Sequence, residues 1–209
     1  MKKIAVLFVL LLLNACAPSK VVYQWSNPEY HSFEAQKVLI VGMTPDEGLR
    51  KLFEERLAQS LEQKEVDAVR SIDFFEEVFA KTTLDTTALD QIEMQLLNAG
   101  FDAIVVSQVT GSQDKVTLTE QHSGNFKDAS NFKDYYFQHQ DAYKTSQWET
   151  YTVYHAEALV YCICPDKQRE LRWKAHIDLT ETQSPEAAIQ SYITTLLKEL
   201  KKQRILLKE

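Results

Sequence analysis

The sequence predicts an α/β fold, a βαβαβ unit followed by a long antiparallel β-hairpin and a C-terminal helix, with the helices packed on a mixed sheet. Three observations predict it. Two nearly continuous apolar runs, Lys37 to Met43 (KVLIVGM) and Phe101 to Thr110 (FDAIVVSQVT), have the composition of strands buried on both faces. Segments of helical period lie between them, and the order strand-helix-strand-helix-strand favours right-handed parallel crossovers. Residues 150–180 then alternate with period two on both sides of a turn-like break.

The elements follow in order. Residues 17–36 (APSKVVYQWSNPEYHSFEAQ) hold no strand or helical period of useful length, and are expected to be a tether with Trp25 and Tyr30 docked on the domain edge. After the first strand, Thr44-Pro45-Asp46-Glu47 has the form of a capping box, with Thr44 at N-cap, Pro45 at N1 and Glu47 at N3. The helix it opens carries Leu49, Leu52, Phe53, Leu57 and Leu61 on one stripe and Arg, Lys, Glu and Gln on the other. A short strand is expected over 68–72. Asp73 with Glu76 then caps a brief helix bearing Phe74, Val78 and Phe79. Leu89, Ile92, Leu96 and Ala99 mark a further helix, stopped at Asn98-Ala99-Gly100.

The hairpin carries its own register. Thr150 to Cys164 and Glu170 to Thr180 flank Pro165-Asp166-Lys167-Gln168. A four-residue loop opposes Cys162 to Leu171, Val160 to Trp173, Ala158 to Ala175, Ala156 to Ile177 and Tyr154 to Leu179 on an apolar face. The other face then opposes Tyr161 to Arg172, Glu157 to His176 and His155 to Asp178, and a one-residue slip destroys both patterns. Ser184-Pro185-Glu186 starts a last helix with Ala188, Ile189, Tyr192, Ile193, Leu196, Leu197 and Leu200 on one face. Its end, Lys198 to Arg204, is basic, as the helix dipole favours.

The N-terminus sets an address. Lys2 and Lys3 precede an apolar run, Ile4 to Leu13, too short to span a bilayer, and Leu13-Asn14-Ala15-Cys16 reads as a lipobox. Residues 1–15 are therefore expected to be a signal peptide. Residues 16–36 become the lipidated Cys16 and its tether, and residues 37–209 a single α/β domain. Several acyl chains on Cys16 would hold a domain stably on a leaflet, at roughly 0.8 kcal/mol per buried CH₂. Ala17 at the position after Cys16 favours the outer membrane, facing the periplasm.

Cleavage after residue 15 leaves 194 of the 209 residues and takes the formal charge from −7 to −9 by loss of Lys2 and Lys3. An acidic chain without a basic run has no electrostatic footprint for nucleic acid. Cys162 and Cys164 stand two apart on a strand, at the outer limit of disulfide geometry, and are expected to be buried free thiols. A metal centre formed by these cysteines with His155 and His176 is disfavoured, because the register places the two residue types on opposite faces. The turn Gly42 to Gly48 lacks the glycine spacing of a phosphate loop, and Asp46 and Glu47 would repel an anion. No nucleophile elbow or zinc-protease motif occurs, and His122 and His139 fall in a polar connection. The expectation is a chain without catalytic residues, metal or cofactor other than the covalent lipid.

Residues 112–148 are the odd segment, polar yet rich in Phe126, Phe132, Tyr135, Tyr136, Phe137, Tyr143 and Trp148. They are expected to be a long aromatic loop that serves as a recognition surface, or that folds back over the open sheet face or a dimer contact.

Trp25-Ser26-Asn27-Pro28-Glu29-Tyr30, Phe33, KVLIVGMT, the spacing Arg50…Phe53-Glu54…Leu57…Leu61 and GFDAIVVSQVTG together resemble an uncharacterised bacterial lipoprotein family (DUF4136-like). The resemblance covers roughly residues 24–110 and 150–206. More remotely, the layout is similar to periplasmic lipoprotein domains of the penicillin-binding-protein activator, the curli secretion lipoprotein and the TolB N-terminal domain. It implies an α/β sandwich and an adaptor role, with no catalytic residues to carry over. The family usually has a Gly/Tyr/Pro-rich stretch where this chain has its Lys/Asp/Phe-rich 120–148 segment. The functional expectation is a membrane-anchored, non-catalytic binding module for a protein partner in the envelope. The alternatives are an envelope-acting hydrolase and a structural subunit of an envelope assembly.

Overall fold

Both apolar runs become central strands of a six-stranded mixed sheet. The structure, a computed structural model, describes residues 19–75, 85–118, 131–140, 148–163, 169–182 and 184–207. In chain order the elements are β1 (Ser19–Ser26), β2 (Phe33–Glu34), β3 (Lys37–Met43), α1 (Glu47–Glu62), β4 (Asp67–Arg70), α2 (Ser71–Phe74) and α3 (Thr86–Asn98). Then come β5 (Ala103–Leu118), α4 (Phe132–His139), β6 (Trp148–Cys162), β7 (Glu170–Thr180), α5 (Pro185–Lys202) and β8 (Ile205–Leu206). The sheet order is β1-β7-β6-β5-β3-β4. β4, β3 and β5 are parallel; β5, β6, β7 and β1 are antiparallel to their neighbours. The expected α/β class is observed, with the βαβαβ unit, the hairpin and the C-terminal helix in that order. β1, β2, α4 and β8 are additions, and the short helix after β4 starts at Ser71 with Arg70, not Asp73, at its N-cap.

Coverage follows pairing. α1 and α5 cover one face, where Phe53, Leu57, Tyr192, Ile193 and Leu196 meet Val38, Ile40, Val105, Val160 and the fully buried Trp173. Ala156, Ala158 and Ala175 lie in the same core. Among the described residues, cover on the second face lies over the parallel half, where Leu39 and Val41 pack with Phe75, Leu96 and Phe101. This is why β3 reads as a continuous apolar run while β6 and β7 alternate.

The hairpin register holds from Val153↔Thr180 to Val160↔Trp173, including Glu157↔His176 and His155↔Asp178. It then slips by one, so that Tyr161 opposes Leu171 and Cys162 opposes Glu170, not Arg172 and Leu171 as expected. Arg172 is the extra residue of a bulge. Its guanidinium is buried 3.3 Å above the Tyr30 ring, with Phe33 at 5.5 Å and Glu170 at 3.2 Å. Packing of a cation between rings outweighs the regular ladder there.

Three expectations need correction. The stretch expected as a tether is largely built into the fold: Ser19 to Ser26 form edge strand β1 on β7, and Phe33-Glu34 pair with Ile205-Leu206. Its pairing partners lie more than a hundred residues away, so local period could not reveal it. Tyr30 does dock, on Arg172. Second, Cys162 is disulfide-bonded, so the pair of free thiols is overturned; Cys164 lies outside the described residues. Third, the N-cap of α1 is Asp46, not Thr44. Its Oδ1 accepts from Leu49 N at 3.0 Å, while Thr44 Oγ1 accepts from Asp46 N at 3.3 Å. Asp46→Ala is accordingly expected to cost about 1 kcal/mol and Thr44→Ala much less, as read from urea midpoints.

Candidate functional site

The described parts of the segment expected as a loop over 112–148 are strand and helix. β5 continues to Leu118 and pairs with β6 back to Trp148. Because β7 ends opposite Val153, the pairs from Asp114↔Thr152 to Leu118↔Trp148 form a two-stranded arm beyond the main sheet. Five residues at about 3.4 Å each give it a length of roughly 17 Å. Thr152 Oγ1 donates to Asp114 Oδ1 at 3.0 Å across it. The arm starts after a bulge at Thr110, between Val109↔Ala156 and Gly111↔His155. Residues 112–114 and 116–117 are exposed, so the strand lacks the apolar face that would announce it in sequence.

The connection between the arm's strands carries α4. Asn131 caps it, accepting from Asp134 N at 3.0 Å and donating from Nδ2 to Asp134 Oδ2 at 2.7 Å. Phe132, Tyr135 and Tyr136 stand at i, i+3 and i+4, the spacing of one helix face. They are 81%, 55% and 44% exposed, and Phe137 beside them 55%. Phe132 and Tyr136 have ring centroids 6.1 Å apart, Tyr136 and Phe137 5.9 Å. The structure therefore brings four of the sequence-predicted site residues together on one short helix. Trp148 begins β6, while Phe126, Tyr143 and the lipobox Cys16 fall outside the described residues.

Sequence reasoning missed a second region. β4-β3-β5 has the strand order in which successive crossovers leave opposite faces, and this makes the carboxyl ends of β3 and β5 a topological switch point. Two grooves open there, one on each side of Gly42-Met43-Thr44. One, of about 580 Å³, lies toward α3 and is lined by Leu39, Val41, Ile92, Leu96, Ile104 and Val106. At its margin Arg169 pairs with Asp90 at 2.6 Å and with Glu93. The other, of about 530 Å³, lies between α1 and α5 and is lined by Phe53, Val109, Leu179, Ala188, Ile189 and Tyr192 among others. On its wall Tyr192 Oη and Ser107 Oγ are 2.6 Å apart, one donating to the other, and Glu157 O lies 3.4 and 3.3 Å from them as acceptor for the remaining proton.

Burial raises the Tyr192 pKa above its ordinary value of 10.0, against the smaller opposing effect of the Ser107 hydrogen bond. Folded protein thus keeps a proton that the unfolded chain loses. This contribution to stability is complete below the ordinary tyrosine value and is lost as pH rises beyond it. Between about pH 8 and about pH 11, wild type is expected to lose more stability in denaturant titrations than Tyr192→Phe, with a slope difference of up to about 1.4 kcal/mol per pH unit.

Beneath the switch point lies a buried polar cluster that a helical-wheel reading assigns to solvent. Glu54 is fully buried and Arg50 is 5% exposed. Glu54 Oε1 accepts from Gly42 N (2.9 Å), Arg50 Nε (3.0 Å) and Ser71 Oγ (2.6 Å), and Oε2 from Ile72 N (3.1 Å). Arg50 Nη2 donates to Ser71 Oγ at 2.8 Å. A Cβ at Gly42 would stand 3.1 Å from the Phe53 ring, so glycine lets α1 approach β3 closely enough for the Glu54 bond. The cluster ties β3, α1 and α2 together, with its charges and its hydroxyl mutually satisfied.

His155 and His176 occupy the polar face of the hairpin, as the register required. His155 Nδ1 is 2.6 Å from Asp178 and His176 Nε2 is 3.3 Å from Glu157, while Cys162 is buried. Among the described residues, no helix is long and apolar enough to cross a membrane.

No family model matches the chain, and no curated protein matches it. Among solved structures, it is similar to the PelC dodecamer from Paraburkholderia phytofirmans, at 11% identity and a TM-score of 0.46, covering 91% of this chain and 99% of that one. It is also similar to lipoprotein GNA1162 from Neisseria meningitidis, at 14% identity and a TM-score of 0.39, covering 79% of this chain and 96% of that one.

Proposed function

We propose that the protein is a lipid-anchored, non-catalytic binding module of the bacterial envelope, held at the outer membrane by Cys16 and facing the periplasm. In this reading it contacts a protein partner through the aromatic face of α4. The observation that carries the reading is the exposure of Phe132, Tyr135, Tyr136 and Phe137 together on one helix. Clustered exposed aromatics are the residues from which interface hot spots are built. An eight-residue helix is marginal in water by itself, and an apolar groove on a partner would complete its packing. Anchoring both partners to one envelope raises their effective concentration, so modest intrinsic affinity suffices.

A photoreactive amino acid at Phe137 tests this in intact cells. It is expected to give a discrete crosslinked protein species, whereas the same probe at Lys174, on the polar sheet face, gives none. Equal and diffuse labelling from both positions would count against α4 as the contact.

A further inference from the structure

The groove between α1 and α5 belongs to no part of the proposed partner contact, and its chemistry singles out one occupant. We propose that it takes up an acyl chain of the protein's own Cys16 lipid, an inference that rests on the lipidation reading above. Its walls are Phe53, Val109, Leu179, Ala188, Ile189 and Tyr192. The hydroxyls of Tyr192 and Ser107 are bonded to each other and to a backbone carbonyl, so neither is left unpaired for a headgroup. The one ionisable carboxylate at the groove is Glu181 on its rim, and the whole chain is acidic at −7. Both features disfavour an anionic fatty acid or phospholipid. The acylated, thioether-linked lipid of an N-terminal cysteine is neutral.

Position identifies the source. Ser19 opposes Leu179, a groove residue, in the antiparallel β1–β7 pair, and its Oγ is fixed to α5 through Ser191 and Thr195 at 2.6–2.9 Å. Ser19 is the first described residue of β1, and the residues that follow Leu179 on the facing chain, Glu181 and Thr182, form the groove rim. Cys16 lies three residues before Ser19, a reach of about 10 Å. The volume of about 530 Å³ holds on the order of eighteen methylene-sized groups at ~30 Å³ each, enough for one alkyl chain and too little for several. One chain seated here is withheld from the bilayer while the remaining chains insert, which draws the domain close against the membrane.

The test feeds cells a fatty acid with a diazirine near its tail, irradiates them, and maps crosslinks in the purified full-length protein by mass spectrometry. The expected product joins the Cys16 peptide to a peptide containing Leu179 or residues 188–192. Ala188→Trp, which fills the groove from its half-buried edge, should keep the acylated mass and reduce that product to background. A groove adduct with the mass of a phospholipid would overturn the chain's own lipid as occupant. Cys16 crosslinks found only outside the groove would overturn the site. An unacylated Cys16 mass would sink the lipidation reading and this inference together, whereas acylation with crosslinks elsewhere sinks the inference alone.

Discussion

Glu54→Ala is expected to destabilise the domain by about 3–5 kcal/mol, a large share of the roughly 5–15 kcal/mol that holds a domain together. The reason is not the strength of the ion pair. Removing the carboxylate leaves the Arg50 guanidinium in a buried site with only Ser71 Oγ to receive it, and strips acceptors from Gly42 N and Ile72 N. The double variant Arg50→Met, Glu54→Leu should recover much of the loss, because an apolar pair of similar volume leaves no uncompensated charge. Recovery stays partial because the two backbone N–H groups remain unsatisfied. Urea unfolding of the two single variants and the double variant measures this as a coupling energy. A double variant no more stable than Glu54→Ala would show that the buried charge is not the cause.

The second large effect concerns location. Cys16→Ser is expected to move the protein from the membrane fraction to the soluble fraction, since two or more acyl chains supply stable anchoring and one residue carries them all. Among the described residues, no helix is long and apolar enough to cross a membrane. The wild-type protein should stay in the pellet through high-salt washing, which strips electrostatically bound proteins. A Cys16→Ser protein that remains in the washed pellet would contradict the anchor.

What the sequence made legible divides along physical lines. β3, β6, β7 and α5 could be read because one or both faces of each are buried, so side-chain period and burial coincide. Register from Val153 to Val160 followed from opposing apolar and complementary charged pairs. The slip at Arg172 did not, since it depends on Tyr30, over a hundred residues away in the chain. β1 stayed hidden as an edge strand whose exposed Val22 and Tyr23 break the alternation around a bulge. Arg50 and Glu54 misled, because charges on a helix ordinarily mark its solvent face; here α1 is close enough to β3 at Gly42 for a carboxylate to reach a strand amide.

The candidate site was half legible. Aromatic excess in a polar segment pointed to the right residues, but the i, i+3, i+4 spacing of Phe132, Tyr135 and Tyr136 is too short a period to announce a helix. The arm that flanks it mixes polar residues with exposed Val116, and no buried apolar face gives it a period to read in sequence. The groove beside Tyr192 could not be foreseen, since it depends on how α1 and α5 diverge over the carboxyl ends of β3 and β5.

In the proposed function the aromatic face of α4 is the contact surface of an anchored binding module. Chemical crosslinking in intact cells, comparing wild type with Phe132→Ala, Tyr135→Ala, Tyr136→Ala at matched abundance and matched unfolding midpoint, tests it most directly. Aromatic hot spots are worth about 2 kcal/mol or more each, so the triple variant should weaken the contact by at least about a hundredfold and lose the crosslinked partner. A triple variant that captures the same partner at wild-type yield would contradict the account.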